Sequence, residues 1–149
     1  MSKYCCFFAK KQQSTTIFDD ITLSDTIPFV PNVCIGKVVK VYDGDTCTCE
    51  IDLGFNITRT VKIRLVGINT PEIRTRDLEE KEAGYRSRDW LAERILNKKV
   101  LLHTAKKGKF GRWLGTLWTL EEQTPSFENS YNKEMITEGL AKEYWGGKR

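Results

Sequence analysis

Two short segments in the first half of the chain carry the side chains best suited to chemistry. The first contains Asp43 and Asp45 at a turn-forming Asp-Gly dipeptide, and the second contains Arg64 within an apolar run and Glu72 directly after a proline. Clustered oxygen atoms suit a hard cation such as Ca²⁺. A guanidinium can hold a phosphate through two donors. If the segments pair as neighbouring strands, their side chains can converge into a site able to cut a phosphodiester.

Three strands must position these segments. Alternating or β-branched apolar residues predict strands over the ranges 35–42, 46–53 and 57–68. The Asp-Gly turn joins the first two, so we expect an antiparallel meander. In the third strand Arg64 has the opposite parity to Ile63 and Leu65. Its side chain is expected to point away from the apolar face, although a curved barrel could partly bury it.

A helix and two further strands complete the predicted domain. An apolar stripe at helical spacing predicts a helix over 79–97. Two further strand-like segments predict strands over 99–104 and 113–120. A short helix, capped by Asn132 or a near neighbour, is expected to run through Glu138 and end at Gly139. Five strands with a helix between the third and fourth predict the α+β class, and within it a five-stranded OB-fold β-barrel with two or three α-helices. Fold analogy alone suggests nucleic-acid binding.

The composition favours one intracellular domain. The chain has 149 residues, a net charge of +4 and five cysteines, and it lacks the long apolar run that a transmembrane helix needs. Cys47 and Cys49 alternate with polar residues, which favours small buried side chains over zinc ligands because no second Cys/His pair follows. We therefore expect a reduced, intracellular rather than secreted protein.

The start of the chain differs from the rest. Residues 1–33 mix polar residues with scattered apolar ones and end in two closely spaced prolines. We expect this segment to be a flexible N-terminal arm ahead of a domain over 34–149. Cys5 and Cys6 could accept palmitoyl chains, but a flexible or self-packed tail is favoured over a membrane anchor.

Basic residues concentrate in one later segment. The stretch from Lys98 to Arg112 holds six lysine or arginine residues and no acid. Such a patch attracts phosphate backbones without reading their sequence. The alternative interpretation is a solvated basic face.

Three segments taken in order resemble the staphylococcal nuclease family. They are Asp43–Thr46, Arg64–Glu72 and Lys109–Arg112. The resemblance covers nearly the whole chain after the arm. The segment Gly139–Trp145 is also similar to the last helix and tail of that family.

The resemblance implies a Ca²⁺-dependent endonuclease acting on DNA and/or RNA with little sequence specificity. Because nucleases of the family are often small monomers, it also implies a monomer. The implied metal-site residues are Asp45, Asn69 and Thr70 (through its backbone carbonyl), with Asp43 orienting water at the metal. The implied catalytic residues are two phosphate-holding arginines and a carboxylate that positions or deprotonates water, namely Arg64, Arg112 and Glu72. The implied substrate-binding residues are Lys109 and Phe110, with Tyr144 and Trp145 able either to stack on a base or to close the edge of the barrel.

Two positions depart from the family pattern. Asn69 stands where an aspartate is usual, which keeps an oxygen but loses a charge and predicts weaker Ca²⁺ binding. Phe110 lacks the phenol of the family but keeps the aromatic face. Asn69 also keeps open the alternative of a non-catalytic nucleic-acid-binding OB module of the same fold. A protein-interaction barrel that ignores nucleic acid is the third interpretation.

Overall fold

A computed structural model describes residues 33–147 of the chain, without the side chain of Ala105. The predicted arm lies outside the described residues apart from Val33, which begins the first strand. Cys5 and Cys6, the candidate acylation sites, also lie outside them. Among the described residues no helix has both the length and the apolar character required to cross a membrane.

Within residues 33–147, five strands close into a barrel and two short strands form a separate sheet. In chain order the elements are β1 (Val33–Asp43), β2 (Thr46–Asp52), β3 (Thr58–Leu65), β4 (Ile68–Asn69), α1 (Leu78–Ile95), β5 (Lys99–Lys107), β6 (Trp113–Thr119), a 3₁₀ helix (Phe127–Asn129), α2 (Tyr131–Thr137) and β7 (Lys142–Glu143). The barrel order is β1-β2-β3-β6-β5, and only the β3–β6 pair is parallel. The predicted meander and the α+β OB-fold are confirmed.

The inward residues of the strands form the barrel core. Cys47 and Cys49 on β2 are fully buried beside apolar side chains such as Ile63 and Leu117. Their sulfur atoms lie 3.9 Å apart. The Cys49 contact and burial together raise the pKa of the Cys47 thiol well above its usual range. These cysteines are core side chains, as the alternation predicted.

Helix α1 lies between β4 and β5 in the chain and packs on the barrel against β1. Asp77 caps its first turn by accepting hydrogen bonds from the backbone N–H groups of Glu79 and Glu80. Its buried face contains Gly84, Ser87, Leu91 and Ile95. The predicted helix 79–97 is therefore confirmed to within two residues at each end.

The cap of α2 is Ser130, a near neighbour of the predicted Asn132. The Ser130 hydroxyl accepts a hydrogen bond from the Lys133 backbone N–H. Asn132 is fully buried instead, where its amide donates to the carbonyl oxygens of Val66 and Gly115. This side chain fixes the turn that leads from β3 into β4.

The segment Gly139–Trp145, which resembles the last helix and tail of the family, begins where α2 ends. Gly139 leaves α2 with φ +69°, and residues 142–143 then pair as β7 with β4. The Tyr144 backbone N–H donates to the Gly67 carbonyl oxygen at 2.9 Å. Because these main-chain groups bond across to β4 and its turn, the segment is extended.

The basic segment does not form one patch. Strand β5 places Lys99 beside Lys37 of β1 at one end, and Lys107 beside Trp113 of β6 at the other. Eight residues of an extended strand separate these positions by about 26 Å. The residues after Lys107 form the β5–β6 turn. Only the basic residues at this end of β5 and in the turn therefore lie near Arg112.

Candidate active site

A polar cavity opens where the β1–β2 turn meets the ends of β3 and β4. Its volume is about 220 Å³ and its lining residues are Asp43, Asp45, Arg64, Thr70, Pro71, Glu72 and Arg112. All of them except Pro71 were predicted from the sequence to act in metal binding or catalysis. The structure thus gathers three separate segments of the chain in one place.

The strand register explains this convergence. Thr46 at the start of β2 pairs with Arg64 near the end of β3, and Arg64 pairs in parallel with Leu114 of β6. The Leu65 backbone N–H donates to the Asp45 carbonyl oxygen at 2.8 Å. A slip of one residue would turn Arg64 to the other face of the sheet. The pairing that closes the barrel therefore also assembles the site.

Asp45 is buried, with hydrogen bonds to both carboxylate oxygens. Oδ2 lies 2.7 Å from Nη1 of Arg64 and accepts hydrogen bonds from the backbone N–H and the hydroxyl of Thr70, at 3.3 and 3.2 Å. Oδ1 accepts a hydrogen bond from the Thr46 hydroxyl at 3.0 Å. Burial raises the pKa of Asp45 from its ordinary 3.8 to about 6, while Arg64 opposes the rise and Asp43 adds to it.

Arg64 bridges Asp45 and Asn69. Its Nη2 donates to Oδ1 of Asn69 at 3.3 Å, and its Nη1 donates to the Leu65 carbonyl oxygen at 3.1 Å. Only 13% of the side chain is exposed, because the chain returns over it through β4. Although Arg64 is on the outer face of β3, its side chain is mostly buried and lines the cavity. The Asn69 amide oxygen is directed at its guanidinium group.

Thr46 links the second arginine to the acidic residues, a role that the sequence analysis missed. Nη1 of Arg112 donates to the Thr46 hydroxyl at 3.2 Å, and that hydroxyl donates to Asp45. Thr46 is only 5% exposed. Its place directly after Asp45 was the available signal, but nothing in the sequence shows that Arg112 reaches it.

The β1–β2 turn lies directly against α1. A Cβ atom on Gly44 would lie 2.7 Å from Cβ of Ser87 and 2.8 Å from Cγ2 of Thr70. The Ser87 hydroxyl donates to the Leu140 carbonyl oxygen at 2.7 Å, which ties the helix to the segment before β7. Gly44 was interpreted as a turn residue, whereas the structure shows that it also permits this close approach.

Glu72 lies at the exposed edge of the cavity. Its backbone N–H donates to Oε1 of Glu80 on α1 at 3.4 Å. The helix can come this close because Gly84 has no side chain, since a Cβ atom there would lie 2.9 Å from the Pro71 carbonyl oxygen. Helix α1 therefore positions the loop that carries the predicted catalytic carboxylate.

Asp43 provides the observation that bears on a metal. Its Oδ1 is buried and has no hydrogen-bond partner among the described residues. A buried carboxylate oxygen without a partner is unfavourable, and a cation would satisfy it. With Asp45 it offers the oxygen donors that Ca²⁺ prefers. Residues 33–147 contain no group of three or more His, Cys, Asp or Glu side chains able to share a metal, consistent with an amide at Asn69.

Lys109 and Phe110 occupy the β5–β6 turn beside the cavity. Both are exposed, and Phe110 is 84% accessible. Its centroid lies 5.9 Å from Cζ of Arg112. These two residues do not line the cavity, but they lie next to one of its arginines, where a bound strand could reach them.

Tyr144 and Trp145 lie elsewhere. The Trp145 ring packs on Phe127 with centroids 4.9 Å apart, in a mostly apolar groove of about 650 Å³. The Tyr144 hydroxyl donates to the Gly147 carbonyl oxygen at 2.8 Å. Neither residue lines the polar cavity that contains Asp45 and Arg64. Of the two roles considered for them, these contacts favour closing the edge of the barrel near Gly67.

The fold and the cavity together define an OB-fold barrel of the nuclease type. A family model described as staphylococcal nuclease homologue matches residues 62–148, more than half of the chain, and the protein belongs to this family. The assignment agrees with the resemblance found in the three sequence segments.

Three relatives show how far this similarity extends. The chain is 32% identical over 111 residues to protein ParB of Escherichia coli, covering 73% of this chain and 56% of that protein. It is 34% identical over 113 residues to an uncharacterized endonuclease of Haemophilus influenzae, covering 76% and 53%. It is 30% identical over 129 residues to protein MJ1439 of Methanocaldococcus jannaschii, covering 73% and 58%. The chain thus spans slightly more than half the length of these relatives.

Proposed function

We propose that this protein is a Ca²⁺-dependent endonuclease that hydrolyses phosphodiester bonds of DNA and/or RNA with little sequence specificity. The observation that carries the proposal is the single cavity shared by two aspartates, two arginines and a glutamate. Membership of the staphylococcal nuclease homologue family and similarity to the uncharacterized endonuclease of Haemophilus influenzae support it.

Asp43 and Asp45 would hold the cation, with Thr70 contributing its backbone carbonyl and Asn69 its amide oxygen. The unsatisfied Oδ1 of Asp43 and the buried carboxylate of Asp45 supply the oxygen chemistry that such an ion requires. When bound, Ca²⁺ would neutralise part of the negative charge that develops on the phosphoryl oxygens.

The arginines would bind the phosphate. In-line attack of water increases negative charge on the phosphoryl oxygens, and Arg64 and Arg112 present guanidinium groups to the same cavity. Each can offer two donors to a phosphate, which an ammonium cannot match in geometry. Loss of one such donor typically raises the barrier by about 3–4 kcal/mol.

Glu72 would orient the attacking water and accept its proton. Its position at the exposed edge of the cavity leaves it open to solvent on one side and to the substrate on the other. A carboxylate that is ionised at neutral pH can act as a general base when it lies within hydrogen-bonding reach of the water.

The test is cleavage of single-stranded DNA, duplex DNA and RNA by the full chain, with Ca²⁺ and with a chelator. We expect Ca²⁺-dependent cleavage that falls by about 10²–10³ in Arg112→Ala. Arg86→Ala, an exposed arginine on α1, is the matched control and should retain activity. Cleavage that persists in chelator, or equal rates in the two variants, would refute the proposal.

One observation favours a second candidate, a non-catalytic nucleic-acid-binding module. The Asn69 amide oxygen accepts a hydrogen bond from Arg64, and an acid that could add charge to the metal site is missing at that position. Binding without cleavage in the presence of Ca²⁺ and of several other divalent metals would support this candidate over the nuclease.

A further inference from the structure

A second basic cluster lies on the outer face of β1, β2 and β3. Nζ of Lys40 is 4.6 Å from the centroid of the Tyr42 ring, and Nζ of Lys62 is 5.1 Å from the same centroid. The Thr48 hydroxyl donates to the Tyr42 hydroxyl oxygen at 3.3 Å. One aromatic ring from β1 thus holds two ammonium groups from different strands.

The register places this cluster beside the catalytic cavity. Thr48 pairs with Lys40 on one side and with Lys62 on the other. Two residues along the same strands, Thr46 pairs with Arg64. Residues two apart share a face of a strand and are separated by about 7 Å. A strand of nucleic acid that places one phosphate at the arginines could therefore reach the lysines with a neighbouring phosphate.

The charge of the cluster is uncompensated. Within residues 33–147, neither Lys40 nor Lys62 forms a salt bridge with a carboxylate. Both lysines are exposed, and like charges brought together across a sheet repel each other. Cation–π contacts with Tyr42 offset part of that repulsion. A bound anion would offset the repulsion that remains between the two ammonium groups.

We propose that Lys40 and Lys62, positioned by Tyr42, bind the backbone phosphate next to the one held in the catalytic cavity. The proposal rests on the nucleic-acid substrate proposed above and extends its binding site along β1–β3. The ligand is a phosphate rather than a base, because both ammonium groups lie over the Tyr42 ring and the ring is already in use. Tyr42 is a positioning residue that keeps two flexible lysines in place.

The experiment measures binding of the full chain to labelled single-stranded oligonucleotides, as DNA and as RNA, in chelator and at several salt concentrations. Each phosphate contact on a single strand contributes about 0.7 to the slope of log affinity against log salt. Because the two lysines share one phosphate, Lys40→Ala/Lys62→Ala should lower the slope by about 0.7, which corresponds to about fivefold weaker binding at 0.1 M salt.

The matched control is Lys81→Ala/Arg86→Ala, which removes the same charge from helix α1 instead of from the strands that carry the cluster. It should keep the wild-type slope. Tyr42→Leu should weaken binding while both charges remain, because the lysines lose the ring that orders them. Equal slopes for the two double variants, or no measurable binding by the wild type, would overturn the proposal.

The same measurements separate this proposal from the proposed nuclease activity. If the wild type binds but cleaves neither DNA nor RNA, a reduced slope in Lys40→Ala/Lys62→Ala still supports the phosphate subsite while the nuclease function fails. If the wild type cleaves with Ca²⁺ and the double variant keeps the full slope, the subsite is refuted while the nuclease function stands.

Discussion

Nη1 of Arg64 lies 2.7 Å from Oδ2 of Asp45. This ion pair joins a residue proposed to hold phosphate to a residue proposed to hold Ca²⁺. In the structure described here each satisfies the charge of the other inside a largely buried cavity. Binding of a cation at Asp45 and of a phosphate at Arg64 would give each residue a second partner of opposite charge, so the two ligands should favour each other's binding.

The first prediction concerns stability without metal. Because burial raises the pKa of Asp45 to about 6, the folded state favours the protonated carboxyl, and ionisation of Asp45 at neutral pH opposes folding. Asp45→Asn should therefore raise the free energy of unfolding at pH 7 in chelator. Asp89→Asn, an exposed position on α1, serves as the control.

The pH dependence of this difference has a defined sign. Below the unfolded-state pKa of about 3.8, Asp45 is protonated in both states and the wild type carries no penalty. As pH rises through about 6, the wild type loses that stability and the variant does not. Urea unfolding at pH values from 4 to 8 should show that the difference in unfolding free energy between Asp45→Asn and the wild type grows as pH rises to about 6 and is constant above it. A gap independent of pH would contradict the assigned cause.

The second prediction concerns Asn69. Asn69→Asp adds a negative charge beside Arg64 and the two aspartates, and it should tighten Ca²⁺ binding by about tenfold, equivalent to about 1.4 kcal/mol. Isothermal titration with Ca²⁺ measures this directly. Gln123→Glu makes the same charge change at an exposed loop position. An Asn69→Asp affinity no tighter than that of the wild type would show that charge at this position does not control metal binding.

The third prediction concerns Thr46. Thr46→Val keeps the shape of the side chain but removes the hydroxyl that accepts a hydrogen bond from Arg112 and donates one to Asp45. We expect cleavage to fall by about tenfold, and stability to fall by about 1 kcal/mol for the lost hydrogen bonds. Thr46→Ser should restore both. If Thr46→Val and Thr46→Ser cleave at the same rate, the hydroxyl does not position the arginine.

The fourth prediction concerns Gly44. Gly44→Ala would place a Cβ atom within 3 Å of Ser87 and Thr70, so the turn must move away from α1 at a cost of about 1–3 kcal/mol. Thermal unfolding would measure this cost, and metal affinity should weaken with it because both aspartates flank the glycine. Gly36→Ala meets its nearest atom at 3.4 Å, an ordinary contact, and should be far milder. Equal effects of the two substitutions would refute the packing argument.

The local sequence was sufficient for the elements and for most of the cavity. Alternation of apolar residues predicted the meander, helical spacing predicted α1, and the order of the three segments identified the family. These features depend on residues close together in the chain, whose periodicity reflects which face is buried. Residue type and spacing also indicated Asp43, Asp45, Arg64 and Glu72 of the cavity, whereas Thr70 and Arg112 came only from the resemblance to the family.

Only the tertiary structure decided how distant residues meet. Thr46 receives Arg112 from 66 positions away, and Gly44 contacts Ser87 on a helix that follows much later in the chain. Strand pairing separated the lysines of the basic segment and brought Lys40 and Lys62 together over one ring. Register and packing across the barrel set these contacts, and neither depends on local spacing. Main-chain pairing with β4 likewise made the segment after Gly139 extended, which the resemblance to the family's last helix and tail did not specify.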